Sequence, residues 1–166
     1  MQTFLPYADF IESARCLDDK RLFKQAVEAM QLVRALDGTA PKSGWRNHPA
    51  AKMWAGYVPH LKVYYNAILL EVIRRKKWRL GALRVYDLVA SGEVVEAVTR
   101  RPAWIGSERF HRAHRSNLLR KNAVFYGVYE WGVKPTLPYV WPKNGDDPCP
   151  PLPTAPTKPP VGKRLL

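Results

Sequence analysis

The sequence predicts an all-α fold: a single compact helical domain with long loops, followed by a proline-rich C-terminal tail. Three observations support this prediction. Apolar residues recur at every third or fourth position in the clearest segments, no stretch alternates as a strand would, and 166 residues suffice for one domain with a real core. We place the helical domain at residues 1–142 and the tail at residues 143–166.

The first long helix is predicted to begin after Asp18, a favourable N-cap residue, and to run to about Leu36. Gly38 follows as the expected stop. The apolar residues on its buried face are Leu22, Ala26, Ala29, Val33 and Leu36.

Further helices are predicted along the chain. One segment follows the loop GTAPKSGWRNHP, is interrupted at Pro59, and continues as HLKVYYNAILLEVIRRKK, whose terminal cations suit the helix dipole. Shorter helices are expected at residues 80–90 and 93–99. Ser107 with Glu108 starts the last one, which contains HRAHRSNLLRK.

This last helix is expected to pack through Phe110, Leu118 and Leu119. Its other side would present His111 and three arginines to phosphates: Arg112, Arg115 and Arg120. An ordinary amphipathic helix with a charged outer face explains the same pattern, and composition does not separate the two readings.

The residues after position 141 hold eight of the 15 prolines and few bulky apolar residues, so burial cannot repay the entropy of ordering them. We expect an extended, partly polyproline segment. It serves either as a loose spacer or as a docking segment for a proline-binding partner.

The charge of the chain indicates its partners. Lys and Arg number 27 against 14 Asp and Glu, giving a net charge of +13, and the cations are interleaved with six Trp, eight Tyr and five Phe. Such a surface can bind phosphates and stack on bases, so nucleic acid is favoured over an anionic membrane. A merely soluble basic surface is the simpler alternative.

The two cysteines, Cys16 and Cys149, lie far apart without a CxxC pair, which indicates neither a disulfide framework nor a zinc site. A reducing cytoplasm fits this usage best. The longest apolar run, near residues 67–73, is too short to span a membrane, and no targeting segment is recognised. We therefore expect a soluble cytoplasmic protein.

Two local patterns could hold functional groups. Trp45, Arg46 and His48 stand in a loop before the Pro-started helix HPAAKMW, where a helix N-terminus favours anions, although His48 could simply cap that helix. Glu28 follows Lys24 by four residues, which by itself indicates only an exposed ion pair.

Several stretches together resemble the pyrimidine-dimer DNA glycosylase family, the endonuclease V type of glycosylase/AP-lyase, and in particular its branch beginning MQTFLP. The likeness covers roughly residues 1–142 and rests on LDDKRLFKQAVEAMQ, GWRNHPAAKMW, LKVYYNAILLEVIRR, RPAWIGSERFHRAHRSNLLRK, FYG and PYVWP.

The resemblance implies a monomeric, all-helical DNA repair enzyme that needs neither metal nor cofactor. Such an enzyme binds double-stranded DNA, kinks it, and extrudes a nucleotide at a damaged or modified pyrimidine. It then removes the base and can cleave the strand.

The resemblance also assigns catalytic roles. The amine at the chain start attacks the sugar, which here is the amine of Met1, and the carboxylate that matches the family's helix is Glu28. An α-amine titrates near about 8 and a lysine near about 10, so more of the former is nucleophilic at neutral pH.

Gln2 is large where family members of understood mechanism expose a small second residue. Three alternatives therefore stay open: the Met1 amine reacts, Lys24 or Lys20 reacts instead, or the scaffold is a non-catalytic DNA-binding module. In each case the expected DNA contacts are the same: Lys20, Arg21, Trp45, Arg46, His48, His111, His114, Arg115, Asn117, Arg120 and Lys121.

Overall fold

The computed structural model of the chain describes residues 2–149. Within this range the chain forms seven α-helices and one 3₁₀ turn and contains no strand, so the predicted all-α fold is confirmed. The helices are α1 (Phe10–Cys16), α2 (Asp19–Leu36), α3 (Pro49–Trp54), α4 (Val58–Arg75), α5 (Val94–Thr99), α6 (Glu108–Lys121) and α7 (Ala123–Gly127), and the 3₁₀ turn is Gly44–Asn47.

Helix α2 forms where its capping signals predict it. The Asp18 carboxylate accepts a hydrogen bond from the backbone N–H of Arg21 at 2.8 Å, which satisfies one of the unpaired donors of the first turn. After Leu36 the chain turns through Gly38, whose φ of +89° favours glycine. The apolar face is fully buried at Leu22, Ala26, Ala29 and Val33.

Helix α4 is the central element, because α1, α2 and α5 all pack against it. It is separated from α3 by a turn that contains Gly56 at a φ of +81°. Pro59 lies in the first turn of α4, where the missing N–H of proline costs little, so the interruption falls slightly earlier than predicted. The buried side of α4 comprises Leu61, Tyr64, Tyr65, Ile68, Leu69 and Val72.

An aromatic cluster connects α3 to α6. The rings of Trp54 and Trp104 meet edge to face with centroids 4.8 Å apart, and Trp104 in turn contacts Phe110 of α6 at 4.7 Å. The indole N–H groups are both satisfied, that of Trp54 by the Thr3 hydroxyl and that of Trp104 by the Met53 carbonyl. These contacts anchor α6 on the core through side chains that have no exposed surface.

The prediction of a helix at residues 80–90 is wrong. This segment forms isolated turns but no helix. It runs along α4, where the Asn66 side chain accepts from the Tyr86 N–H and donates to the Tyr86 carbonyl, both at 2.8 Å. The Tyr65 hydroxyl also donates to the Arg84 carbonyl at 2.9 Å. Side chains of α4 thus take up the backbone groups that a helix would have paired internally.

Two short helices were not predicted. Helix α1 begins after Asp9, whose carboxylate accepts from the Glu12 N–H at 2.8 Å, and α7 begins after Asn122, whose side chain accepts from the Phe125 N–H at 3.1 Å. Both caps are readable in the sequence, but segments of seven and five residues are too short for a convincing helical period.

Part of the segment assigned to the tail packs on the domain. The Gly145 carbonyl accepts from the Ala103 N–H at 2.7 Å, and the Cys149 carbonyl accepts from the Ser107 hydroxyl at 3.2 Å. Residues 143–149 therefore continue the domain past the boundary placed after residue 142. The rest of the proposed tail, residues 150–166, lies outside the described residues, as does Met1.

Candidate functional site

A cavity of about 310 Å³ opens where α2, the N-terminal segment and the end of α6 meet. We call it the Glu28 cavity. Four of its lining residues are cationic and one is a carboxylate, so the cavity favours an anionic ligand. The lining residues are Gln2, Phe4, Lys20, Arg21, Lys24, Gln25, Glu28, Lys121 and Tyr139.

Glu28 is the single acid in this lining. Its side chain retains 15% of its exposure, whereas Lys24, whose Nζ lies 3.6 Å from Glu28 Oε1, retains 71%. The pair is the helical i, i+4 arrangement expected from the sequence, but its acidic member lies in a cavity and not on an open surface. Glu28 is thereby able to reach a ligand held among the cations.

The N-terminal segment is fixed beside Glu28 by backbone hydrogen bonds to two helices. The Phe4 N–H donates to Gln25 Oε1 at 3.0 Å, and the Leu5 N–H donates to His114 Nδ1 at 3.0 Å. These bonds place Gln2, which is buried, in the wall of the Glu28 cavity. The chain start is therefore near this cavity at its second residue, while Met1 itself is not among the described residues.

The cations of the cavity differ in their surroundings. Arg21 forms an ion pair with Asp18, and its guanidinium lies 5.7 Å from the centroid of the Tyr126 ring. Lys121 Nζ lies 6.0 Å from the centroid of the Phe4 ring. Partial burial, together with the positive charges of Arg21 and Arg120, lowers the pKa of Lys121.

Two buried amide donors in the cavity wall lack a partner within residues 2–149: the Nε2 atoms of Gln2 and Gln25. Their orientation is set because each Oε1 accepts a backbone N–H, from Thr3 at 2.9 Å and from Phe4 at 3.0 Å. A buried donor without an acceptor is costly and calls for an explanation. An oxygen-rich ligand in the cavity is one source of the missing acceptors.

A second feature, the Trp45 loop (residues 43–48), lies at the end of an aromatic row that begins in the cavity. Tyr139 contacts Trp141 at 5.6 Å between centroids, Trp141 contacts His48 at 5.8 Å, and His48 contacts Trp45 at 5.4 Å. Arg46 of this loop is exposed. The row connects the cavity to a surface that offers aromatic rings for base stacking beside the exposed Arg46.

His48 also performs the simpler of its two expected roles. Its Nδ1 accepts a hydrogen bond from the Ala50 N–H at 3.1 Å and so caps α3. Burial lowers the pKa of His48, which favours the neutral form needed to accept that bond. Because His48 also keeps an intermediate exposure, capping does not prevent contact with a ligand.

Three of the expected DNA-contacting residues are inside the protein. His111, His114 and Asn117 are almost or completely buried, and each is hydrogen-bonded to backbone. A side chain without exposed surface cannot contact DNA in this conformation, so these three assignments are corrected to a structural role. They hold the N-terminal segment and the loop around Leu137 against α6.

The histidine tautomers follow from these partners. The Leu5 carbonyl can only accept, so His111 Nδ1 donates to it at 2.8 Å, and His111 Nε2 accepts from the Gly106 N–H at 2.9 Å. His114 Nδ1 accepts from Leu5, which leaves the proton on Nε2. Burial lowers the pKa of His111 and lowers that of His114 well below its usual value, consistent with neutral rings.

The arginines of α6 are partly engaged. Arg115 donates to the Pro6 carbonyl and to the Glu108 carboxylate, both at 2.8 Å, and its guanidinium lies 5.4 Å from the Tyr7 ring centroid. Arg120 is exposed near the end of the helix and donates to Asn117 Oδ1. Arg120 is thus exposed to solvent on the same turn as Lys121. The Arg115 side chain, in contrast, is mostly covered, with 17% of its surface exposed.

Gln25 and Tyr139 line the Glu28 cavity, although neither was predicted as a site residue. Gln25 precedes Glu28 by three positions, so helical spacing could have placed it on the same face. Tyr139 lies in a loop of the PYVWP stretch, and no local pattern indicates that it meets α2.

No group of three or more His, Cys, Asp or Glu side chains between residues 2 and 149 is arranged to hold a metal ion. In the same range, none of the helices combines the length and apolar character needed to cross a membrane.

A helical scaffold with a cationic cavity, a single acid and a flanking aromatic row has the features of a nucleic-acid-binding protein that can act on its ligand. A family model described as pyrimidine dimer DNA glycosylase matches residues 1–80, so the chain is similar to that family over this segment. The match indicates a DNA repair glycosylase, and hence DNA binding. Seven of the nine cavity residues fall within it, all except Lys121 and Tyr139. No curated protein and no solved structure matches the chain.

Proposed function

We propose that the protein removes a damaged or modified pyrimidine from duplex DNA and then cleaves the strand at the resulting abasic sugar. The observation that carries this proposal is the convergence in one cavity of Glu28, the start of the chain and four cations. Glu28 lies in a cavity lined by cations, although the spacing of Lys24 and Glu28 alone indicates only a surface ion pair. A nucleotide extruded into this cavity would be surrounded by positive charge.

The cavity and its surroundings suit the steps of such a reaction. A cavity of about 310 Å³ is at the lower end of the range for small-molecule sites, which fits one nucleotide and not a longer stretch of DNA. Extrusion of that nucleotide requires contacts to the backbone on either side. Lys20, Arg46 and Arg120 are exposed and supply cations for these contacts.

The proposed chemistry uses an amine and a carboxylate. A neutral amine from the cavity attacks C1′ of the deoxyribose and displaces the base, which gives an imine between protein and sugar. The Glu28 carboxylate then removes a proton from C2′, and the phosphate at C3′ leaves. The amine comes from the chain start at Met1 or from a lysine such as Lys24.

The remaining parts of the proposal follow from the same scaffold. We propose a monomer that acts in the cytoplasm and uses neither metal nor cofactor, since an amine and a carboxylate are sufficient for the reaction. The free thiols of Cys16 and Cys149 are buried, and burial raises their pKa to about 12 and about 11, so both stay protonated and uninvolved.

The test uses duplexes that contain a single pyrimidine dimer or a single abasic site. We expect release of the damaged base, strand cleavage, and a covalent protein–DNA adduct in the presence of borohydride, which reduces the imine. Base release without an adduct would limit the activity to hydrolysis of the glycosidic bond. Tight binding without release or adduct would favour a non-catalytic DNA-binding module, the alternative suggested by the bulky Gln2.

A further inference from the structure

Two carboxamides in the wall of the Glu28 cavity, those of Gln2 and Gln25, are buried but only half satisfied. The exposed fraction is 4% for Gln2 and 1% for Gln25, and both residues line the cavity. Within residues 2–149, neither Nε2 atom has a hydrogen-bond partner. Buried polar groups are rarely left in this state, because an unpaired donor has lost its bonds to water without replacing them.

The hydrogen bonds of the side-chain oxygens fix the orientation of both amides. Gln2 Oε1 accepts the Thr3 N–H at 2.9 Å, and Gln25 Oε1 accepts the Phe4 N–H at 3.0 Å. A flipped amide would turn its NH₂ group against a backbone N–H, so the oxygen and nitrogen positions are not interchangeable. The two unpaired groups are therefore donors, and they reach one cavity from the N-terminal segment and from α2.

The ligand group that satisfies these amides has to accept hydrogen bonds. The four cations of the cavity already suit a phosphate, whereas a neutral amide suits a neutral carbonyl oxygen. Every pyrimidine base carries such an oxygen at C2, next to the nitrogen that is bonded to the sugar. Both Nε2 atoms lie just beneath the cavity surface, so contact requires a small side-chain adjustment of the kind that is common on binding.

We propose that the Gln2 and Gln25 amides bind the carbonyl oxygens of the pyrimidine that is excised and stabilise this base as it leaves. The inference rests on the proposed function and adds leaving-group stabilisation to the same cavity. Two neutral donors from different segments would act there together, while the cations hold the phosphates.

The amides act on the step in which the base departs. The lone pair of the attacking amine forms the bond to C1′, and the C1′–N1 bond breaks with its electron pair going to the base. This charge is shared between N1 and the C2 oxygen until N1 takes a proton from solvent, and the amine gives up a proton to solvent. Donors that are fixed where this charge develops lower the barrier to base release.

Base release and strand cleavage should therefore depend on the amides to different extents. A lesion-containing duplex carries the pyrimidine at the bond that breaks. An abasic-site duplex lacks this base, so only imine formation and loss of the C2′ proton remain. Removal of an amide donor should slow the first reaction more than the second, whereas a general loss of folding would slow both alike.

The variant Gln25→Glu removes the donor and keeps the structural bond, since a carboxylate oxygen still accepts the Phe4 N–H. Single-turnover rates are measured at saturating protein, on a pyrimidine-dimer duplex and on an abasic-site duplex. We expect base release to fall by at least about 10-fold more than abasic-site cleavage. Gln31→Glu is the control, because it makes the same charge change on α2 outside the cavity lining and should affect both reactions equally.

Equal slowing of the two reactions by a folded Gln25→Glu would overturn the inference, because the missing acceptor would then belong to the sugar or phosphate that both duplexes contain. Unchanged rates on both would overturn it as well. Circular dichroism verifies folding, and Gln2→Glu provides the same test at the second amide if Gln25→Glu does not fold. An unchanged protein that acts on neither duplex would instead refute the proposed function.

Discussion

His114 accepts the backbone N–H of Leu5 at 3.0 Å, although the two residues are 109 positions apart. Because the His114 ring is completely buried on α6, this bond joins the start of the chain to its last long helix. The same two elements contribute Gln2 and Lys121 to the Glu28 cavity. The shape of the candidate site therefore depends on a histidine that touches no ligand.

Replacement of this histidine is expected to destabilise the protein. In His114→Leu the Leu5 N–H loses its acceptor inside the core, so the free energy of unfolding should fall by about 1–3 kcal/mol. Denaturant unfolding measures the change. His48→Leu is the matched control, since it removes a cap from a residue that is only partly buried and should cost about 1 kcal/mol. A loss in His114→Leu clearly below about 1 kcal/mol would contradict the role given to His114.

Stability should also decrease as the solution becomes acidic. Burial lowers the pKa of His60, His111 and His114 in the folded state. Below the ordinary histidine pKa of about 6.5, these histidines therefore bind more protons in the unfolded chain than in the folded one. The histidine contribution is fully present above that value and is lost as pH falls toward the folded-state pKa. Unfolding curves between about pH 7.5 and 5.5 should show this loss, with a shallower slope in His114→Leu; constant stability would refute it.

Removal of the acid from the cavity should separate chemistry from binding. In Glu28→Gln we expect strand cleavage of an abasic-site duplex to slow by about 10²–10⁴-fold, because the C2′ proton loses its acceptor. Duplex affinity should be unchanged or slightly higher, since one negative charge is removed from a cationic cavity. The exposed Glu12 of α1 provides the control, and Glu12→Gln should cleave normally. Full activity in Glu28→Gln would exclude it as the acid/base group.

The salt dependence of DNA binding should identify the phosphate contacts. Each neutralised phosphate contributes a slope of about 0.9 to the plot of log affinity against log salt concentration. Arg46→Gln in the Trp45 loop should therefore reduce this slope by about 1. Arg100→Gln, which changes an exposed cation immediately after α5 and outside the cavity, should leave the slope unaltered. Identical slopes for both variants would show that the Trp45 loop does not contact DNA phosphates.

The packing of residues 143–149 can be tested at one glycine. A Cβ added to Gly145 would lie 2.1 Å from ring carbons of Tyr57, so Gly145→Ala must displace either the ring or the segment. We expect a loss of about 1–3 kcal/mol in the free energy of unfolding. Gly127→Ala is the control, because no heavy atom lies within 4 Å of its added Cβ. If both variants unfold alike, the segment does not pack against Tyr57.

The sequence allowed the parts of this structure that depend on local signals to be predicted. Helix α2 shows this well, since its cap at Asp18 and its buried apolar face are both encoded within the helix itself. The helix predicted at residues 80–90 does not form, because side chains of α4, in particular Asn66, hydrogen-bond to the backbone of that segment. A tertiary contact of this kind leaves no local trace.

The candidate site was predictable to a similar degree. Glu28 and Lys24 could be selected because they share a helix face and match a family motif, and their roles in catalysis remain predictions. His111 and His114 were expected to contact DNA but are buried, because their backbone partner, Leu5, lies more than one hundred residues away in the sequence. A helix period indicates which residues share a face, but the strand or loop that covers this face is not encoded nearby.

The wide sequence separation of the cavity walls bears on how the protein is synthesised. A chain still emerging from the ribosome holds Glu28 and the family-matched residues 1–80 long before Lys121 and Tyr139 have been translated. Until α6 emerges, His114 cannot hold Leu5, and the N-terminal segment lacks its anchor. Nascent or truncated copies that stop before this helix would therefore carry the family-matched segment without a complete Glu28 cavity.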